Sequence, residues 1–316
     1  MPSAISFILF LTTFIPALLH SSPAVSSERI ALLARGNAPV EVQEEGDRLT
    51  VPVWRLEDKK MPQRVPGVAG PSLSAKSALV VESGTGTVLY ARNRDVVRPL
   101  ASLTKLMTAL VAYDLLPDRT RKVTIIKADE AGGGRLLIRQ GDEVTVEDLF
   151  YLALVSSSND AALALARATG LSREKFVKEM NARARRIGLV RARFTDPTGL
   201  DAGNVATAKE VIPLLQAVVS NPFLQQVVTT KEYRLALGEG KMSTVQTTNK
   251  LLGSSSVQVL GGKTGYIDES GYNFAINVQG TKGETLTIVL LGNQQEMDRF
   301  TQAKALLQWA EKAWKF

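Results

Sequence analysis

The stretch Leu100-Ala101-Ser102-Leu103-Thr104-Lys105-Leu106-Met107-Thr108-Ala109-Leu110 decides how the rest of the chain is read. From Leu103 to Leu116 the residues are apolar or good helix formers and Pro117 closes the run, which predicts a core helix of about four turns. Ser102 then falls in the first turn. Residues at i and i+3 share a helix face, so the Lys105 ammonium comes within hydrogen-bond reach of the Ser102 hydroxyl. That is the arrangement of a nucleophile and its base. Unpaired N–H groups at a helix start also favour a developing oxyanion. The same spacing recurs at Ser172-Arg173-Glu174-Lys175, at the head of a charged helix, where Ser172 reads as an N-cap and Lys175 as a solvated side chain. Spacing alone does not separate a nucleophile from a cap.

Composition narrows the choice. The chain has 316 residues, 45% of them hydrophobic, enough for one large or two modest domains with a real core. It contains no cysteine and a single histidine, His20, directly after the apolar stretch Met1 to Leu19. With Ser22-Pro23-Ala24 offering small residues for cleavage, residues 1–24 read as a secretory signal, shorter in its apolar run than a spanning helix needs. The mature protein would then hold neither His nor Cys. That excludes a Ser-His-Asp triad, a Cys-His pair and the usual zinc sites. A serine nucleophile must use Lys, Tyr, Asp or Glu as its base, which raises the weight of Lys105. The net charge of +7 is spread without a basic cluster interleaved with aromatics, so nucleic acid is a poor partner. An exported basic protein fits an anionic membrane or cell-wall surface better.

Residues 25–76 are polar and proline-punctuated and read as an extended tether, with a short strand allowed between Arg48 and Arg55. The ordered domain is expected from Ser77. Ala78 to Val81 and Thr87 to Ala91 flank Ser83-Gly84-Thr85-Gly86 as a hairpin. Helices are expected over Val146 to Val155, Ala161 to Thr169, Ser172 to Ile187 and Ala208 to Val219, the third with a basic face read as solvated. Strands return at Val257 to Ile267, Tyr272 to Gln279 and Thr285 to Leu291, before a last helix from Gln295 to Trp314. Strands at both ends with helices between them imply an α+β fold: one antiparallel sheet built from the two ends of the domain, with an inserted helical subdomain. A site would fall in the crevice between them.

Two further motifs have that context. Ser157-Ser158-Asn159 lies between two expected helices and Lys263-Thr264-Gly265 in the first returning strand. Alone each is weak, a polar helix junction and a strand end. In order after Ser102-x-x-Lys105 they form a specific set. From about Ser77 onward the chain resembles the D-alanyl-D-alanine carboxypeptidase and endopeptidase family, the low-molecular-mass penicillin-binding serine D,D-peptidases of peptidase family S11, which share a fold with the serine β-lactamases. The resemblance extends to Val97-Arg98-Pro99-Leu100-Ala101, Phe194-Thr195-Asp196-Pro197-Thr198-Gly199-Leu200 with Asn204, Thr247-Thr248-Asn249 and Gly262 to Ile267.

The resemblance implies that Ser102 attacks a D-Ala-D-Xaa carbonyl with Lys105 as base, its pKa depressed by burial and by Lys263. Ser157 relays the proton to the leaving amine. Asn159 holds the substrate amide and Lys105, while Lys263 and Thr264 bind the carboxylate or the peptide oxygen beyond the scissile bond. Gly265 admits the ligand to the strand, and the N–H groups of Ser102 and Tyr266 form the oxyanion hole. Asp196, Asn204 and Asn249 are read as loop-tying residues. The implied partners are peptidoglycan stem peptides or cross-links and β-lactam antibiotics. The implied location is periplasmic or at the cell envelope, and no metal or organic cofactor is expected.

Departures from the family pattern bear on which bond is cut. Fewer residues follow Lys263 than the extra C-terminal domain of many carboxypeptidases needs, which points to the endopeptidase branch; Ser157 to Ala161 looks more like the carboxypeptidase branch. No arginine lies between Gly265 and Leu291, which argues against a guanidinium clamp on a free terminal carboxylate. The rival readings are a serine β-lactamase and an idle wall-binding or β-lactam-sensing protein on the same fold. A β-lactamase needs a deacylating base, and the loop from Asp196 to Asn204 offers only Asp196 and Asp201.

Overall fold

A computed structural model describes residues 41–44, 47–50, 60–132, 137–237 and 241–316. The expected signal, residues 1–24, lies outside them. The chain divides into two units, Met1–Asp58 and Lys59–Phe316. In the first, Glu41–Glu44 pairs antiparallel with Asp47–Thr50, so the strand expected between Arg48 and Arg55 overlaps a hairpin arm that begins and ends earlier.

The second unit is built on one five-stranded antiparallel sheet. Its strands are β1 (Ser77–Glu82), β2 (Val88–Arg92), β3 (Gln258–Ile267), β4 (Gly271–Gln279) and β5 (Thr285–Asn293), in the spatial order β3-β4-β5-β1-β2. The N-terminal hairpin thus completes a sheet begun by the C-terminal strands, with Val80 opposite Ile288. Alternation along the strands sends side chains to opposite faces. Leu79, Val81, Ala275, Val289 and Leu291 join one hydrophobic cluster, and Ala78, Val80, Phe274, Ile276, Ile288 and Leu290 join another. A sheet buried on both faces requires a layer on each side.

On the first face lie the inserted helices α1 (Thr104–Leu115), α2 (Val146–Leu154), α3 (Asn159–Ala168), α4 (Arg173–Arg186), α5 (Ala208–Val219) and α6 (Pro222–Val228). Helix α1 is buried from Thr104 to Ala112, consistent with its apolar sequence, and packs against α2, α3, α4 and α5. Capping fixes the others: Thr145 and Thr207 form capping boxes with Asp148 and Glu210, and Ser172 accepts from the Lys175 N–H at 3.3 Å. The second Ser-x-x-Lys is therefore a cap. The opposite face is covered by α7 (Asp298–Ala313), through Phe300, Ala303, Leu306, Leu307 and Ala310.

The domain is tied in before Ser77. Gln63–Arg64 pairs with Trp314–Lys315, and the Arg64 guanidinium donates to the Ala313 carbonyl at 3.0 Å while lying over the rings of Trp309 and Trp314. A two-residue strand held by the far end of the chain leaves no local periodicity, so residues 63–76 read as tether in the sequence. The sequence reading also lacks α6 and a surface hairpin, Glu232–Leu237 with Lys241–Gln246.

Candidate active site

Ser102 lies in a 3-10 turn, Ala101–Leu103, that runs directly into α1. The turn holds Ala101 at φ 49°, a left-handed conformation that costs a non-glycine residue of order 1 kcal/mol or more and needs support from its surroundings. That support comes from two close backbone approaches. A Cβ on Gly199 would lie 2.0 Å from the Ala101 carbonyl oxygen, and one on Gly265 would lie 2.9 Å from the Leu100 oxygen and 3.0 Å from the Ser102 nitrogen. What the missing side chain of Gly265 clears is thus the nucleophile's own turn. Leu100 also donates its N–H to the Asn204 carbonyl at 2.8 Å.

Below the turn the Lys105 ammonium donates to Ser102 Oγ at 2.9 Å, Asn159 Oδ1 at 2.7 Å and the Thr198 carbonyl at 2.7 Å. The side chain is fully buried. Burial lowers its pKa from 10.5 to about 7, against the opposing pull of Asp196 and Asp160. A second serine–lysine pair faces the first. Ser157, at φ 64° in the turn between α2 and α3, accepts from the Lys263 ammonium at 2.8 Å, and Lys263 also donates to the Thr264 carbonyl at 3.0 Å. Lys263 is 1% exposed. Burial first, then the charges of Lys105 and Arg299, lower its pKa well below the ordinary lysine value.

An open cleft of about 1060 Å³ lies above both pairs, lined by Ser102, Ser157, Asn159, Thr264, Gly265 and Tyr266 among others. Neither Lys105 nor Lys263 lines it. Both ammonium groups are buried, Lys105 bonded to Ser102 and Lys263 to Ser157, the two serines that line the cleft. One wall is β3, an edge strand of the sheet, whose outer side pairs with no strand among the described residues. Thr264 shares a 2.6 Å hydrogen bond with Thr248, and Tyr266 stacks on Tyr272 with centroids 4.2 Å apart. The Tyr266 hydroxyl donates to Asp268, and that bond with a carboxylate pushes its pKa up to about 12.

Two features beyond the three motifs shape the site, the first not legible in the sequence and the second read there as loop-tying. The first is Arg299, on α7, which lines the cleft and corrects the inference drawn from the arginine-free stretch between Gly265 and Leu291. Its side chain is buried against Tyr272 and Phe300, donates to the Gly265 carbonyl at 3.4 Å and to Glu296 at 3.3 Å, and leaves Nε without a partner among the described residues. The guanidinium comes from the layer behind the sheet, so no spacing within the strands signals it. The second is Asp196. One carboxylate oxygen accepts from the N–H and hydroxyl of Thr198 and the N–H of Gly199, and the other from the Asp201 N–H and Asn204 Nδ2. Burial opposes its ionisation, yet the bonds from Thr198, Asp201 and Gly199 outweigh burial and hold its pKa below the usual carboxylate value. Asp196 thus folds the loop whose Thr198 carbonyl receives Lys105. Asn249 does similar loop work, accepting from the Leu251 N–H at 3.1 Å.

A half-buried serine bonded to a buried lysine at the head of a core helix, between an antiparallel sheet and a helical insert, defines a serine acyl-transfer enzyme of the penicillin-recognising fold. The chain belongs to the D-alanyl-D-alanine carboxypeptidase family, whose model matches residues 64–295, and is a serine-type peptidase of that family. It is 36% identical to a D-alanyl-D-alanine endopeptidase of Pseudomonas aeruginosa over 242 residues, 76% of this chain and 78% of that one. It is 32% identical to the Escherichia coli D-alanyl-D-alanine endopeptidase over 244 residues, again 76% and 78%. Among solved structures it is similar to the Streptomyces K15 DD-transpeptidase, with a TM-score of 0.73, 28% identity and coverage of 78% of this chain and 100% of that one.

Proposed function

We propose that the chain hydrolyses the peptide bond that follows a D-alanine in peptidoglycan, and that its preferred bond is the internal one of a cross-link. The observation that carries the reaction type is the Lys105 ammonium at 2.9 Å from Ser102 Oγ with its pKa near 7. Neutral Lys105 takes the Ser102 proton as Oγ adds to the carbonyl carbon, and the oxyanion is met by the N–H groups of Ser102 and Tyr266. Collapse breaks the C–N bond. Ser157, held by Lys263, passes its hydroxyl proton to the departing amine and takes up the proton that Lys105 carries, which leaves a Ser102 acyl ester and Lys105 neutral again. Water adds to that ester as neutral Lys105 takes its proton; collapse then breaks the C–Oγ bond, and Lys105 returns the proton to Ser102 Oγ.

Substrate would lie along the open edge of β3 as an added strand, with Asn159 on its amide. Thr264 and Arg299 then meet the carboxylate beside the leaving amine, Lys263 adding charge from below. That carboxylate does not choose between substrates. A terminal D-alanine carries one, and so does the carbon bearing the acylated amine of a meso-diaminopimelate cross-link. The preference for an internal bond is supported by the two endopeptidase relatives. Export to the periplasm or cell envelope, led by residues 1–24, fits the same substrate.

The β-lactamase alternative finds no free carboxylate base in the loop from Asp196 to Asn204. Both oxygens of Asp196 are taken up within its loop, and Asp201 accepts from the Gly203 N–H at 2.7 Å. The test is digestion of defined muropeptides followed by liquid chromatography and mass spectrometry. Conversion of cross-linked dimers to monomers faster than pentapeptides to tetrapeptides is expected; the reverse order would make the enzyme a carboxypeptidase, and no cleavage of either would refute the reading.

A further inference from the structure

Away from the cleft, the helical layer carries a cationic surface with an exposed apolar tip. After α4 ends at Arg186 the chain turns through Gly188, at φ 79°, buries Leu189 and presents Val190 with 84% of its surface accessible. The turn is held firmly. The N–H groups of Arg191 and Ala192 donate to the buried Glu210 carboxylate at 2.5 and 3.0 Å, which directs that acid inward. The Arg191 guanidinium donates to the Asp95 carbonyl at 2.6 Å, and Lys209 donates its N–H to the Arg94 carbonyl at 3.1 Å. These bonds bring Val96 and Val97, 43% and 38% exposed, to the same region.

Exposed Arg185, Arg193 and Lys209 complete the cationic rim. The acids nearby are spoken for: Asp95 lies 3.3 Å from Arg94 and Glu179 lies 3.9 Å from Arg186. None of these residues lines the Ser102 cleft. Cations alone would suit any anionic polymer. Valines held outward on a braced turn gain nothing from a hydrated polymer, but they gain from the headgroup and acyl boundary of a bilayer, where arginines also meet lipid phosphates. We propose that this face docks the enzyme on an anionic phospholipid membrane, with Val96, Val97 and Val190 entering the headgroup region inside a ring of arginine–phosphate contacts. It is independent of the reaction proposed for the cleft.

The test is co-sedimentation of the full chain with vesicles of phosphatidylcholine alone and of phosphatidylcholine mixed with phosphatidylglycerol. The readout is the ratio of the two partition coefficients, in which binding through the apolar N-terminal sequence cancels. A near-surface cation is worth about five-fold in partitioning, so Arg185→Ser with Arg193→Ser should lower the ratio about 30-fold. The pair Lys312→Ser with Lys315→Ser, equal in net charge, should change it by about two-fold or less, and Val190→Ser should weaken anionic-vesicle binding with Ser102 acylation by penicillin unchanged. A ratio near one, or equal losses in the two double variants, would overturn the proposal. So would patch-dependent binding to purified peptidoglycan that matches or exceeds that to vesicles, which would make the partner a wall polymer.

Discussion

The pH dependence of Ser102 acylation follows directly from the surroundings of Lys105. A lysine in water, with a pKa of about 10.4, is neutral in roughly one molecule in 2500 at pH 7. With its pKa brought to about 7 by burial, about half of the Lys105 side chains are neutral at that pH. Burial therefore supplies on the order of a thousand-fold more base, equivalent to about 5 kcal/mol against the charged form. The second-order rate constant for acylation by benzylpenicillin, measured by quenched intact-mass spectrometry, should rise about tenfold per pH unit below pH 7. It should level off above. A rate flat from pH 5 to 9, or one still rising with a midpoint near 10, would refute Lys105 as the base.

Further outcomes are open to test. Because the folded-state pKa of Lys105 lies below its unfolded value, the unfolded chain binds more protons between about 7 and 10.5, so stability rises with pH across that window and the penalty is full below pH 7. Lys105→Met should flatten that slope in urea titrations; an unchanged slope would remove Lys105 as its source. Gly199→Ala, whose Cβ would lie 2.0 Å from the Ala101 oxygen, should abolish acylation, while Gly141→Ala, also at positive φ but with nothing within 4 Å, should cost only about 1 kcal/mol of stability. Equal acylation by the two variants would contradict the role given to the Ala101 turn. Asp196→Asn should destabilise the domain by about 2–4 kcal/mol, since several buried donors lose a charged acceptor, as read by thermal unfolding. Arg299→Met should raise KM for a carboxylate-bearing substrate about tenfold or more with little change in kcat, and an unchanged KM would remove it from carboxylate binding.

Local pattern made much of this molecule legible. The α1 helix begins one residue after its expected start, and the returning strands lie within two residues of their expected bounds, because continuous apolar runs bounded by turn residues or proline record elements buried on both sides. The three motifs placed Ser102, Lys105, Ser157, Asn159 and Thr264 around one cleft, since each sits at a helix start, a helix junction or an edge strand. What stayed hidden is long-range. Arg299 reaches the cleft from the layer behind the sheet, and Arg64 gains its meaning only beside Trp309 and Trp314. That the buried Lys263 ammonium bonds Ser157 is likewise set by tertiary packing, which no spacing encodes.

The most direct measurement is intact-mass spectrometry of the purified protein during incubation with benzylpenicillin, alongside Ser102→Ala. The account predicts a covalent adduct of one penicillin per chain that persists for many minutes and is absent from the Ser102→Ala protein. An adduct that disappears as the drug is hydrolysed would make the enzyme a β-lactamase; an adduct that survives Ser102→Ala, or none in the unaltered chain, would contradict the serine acyl-enzyme itself.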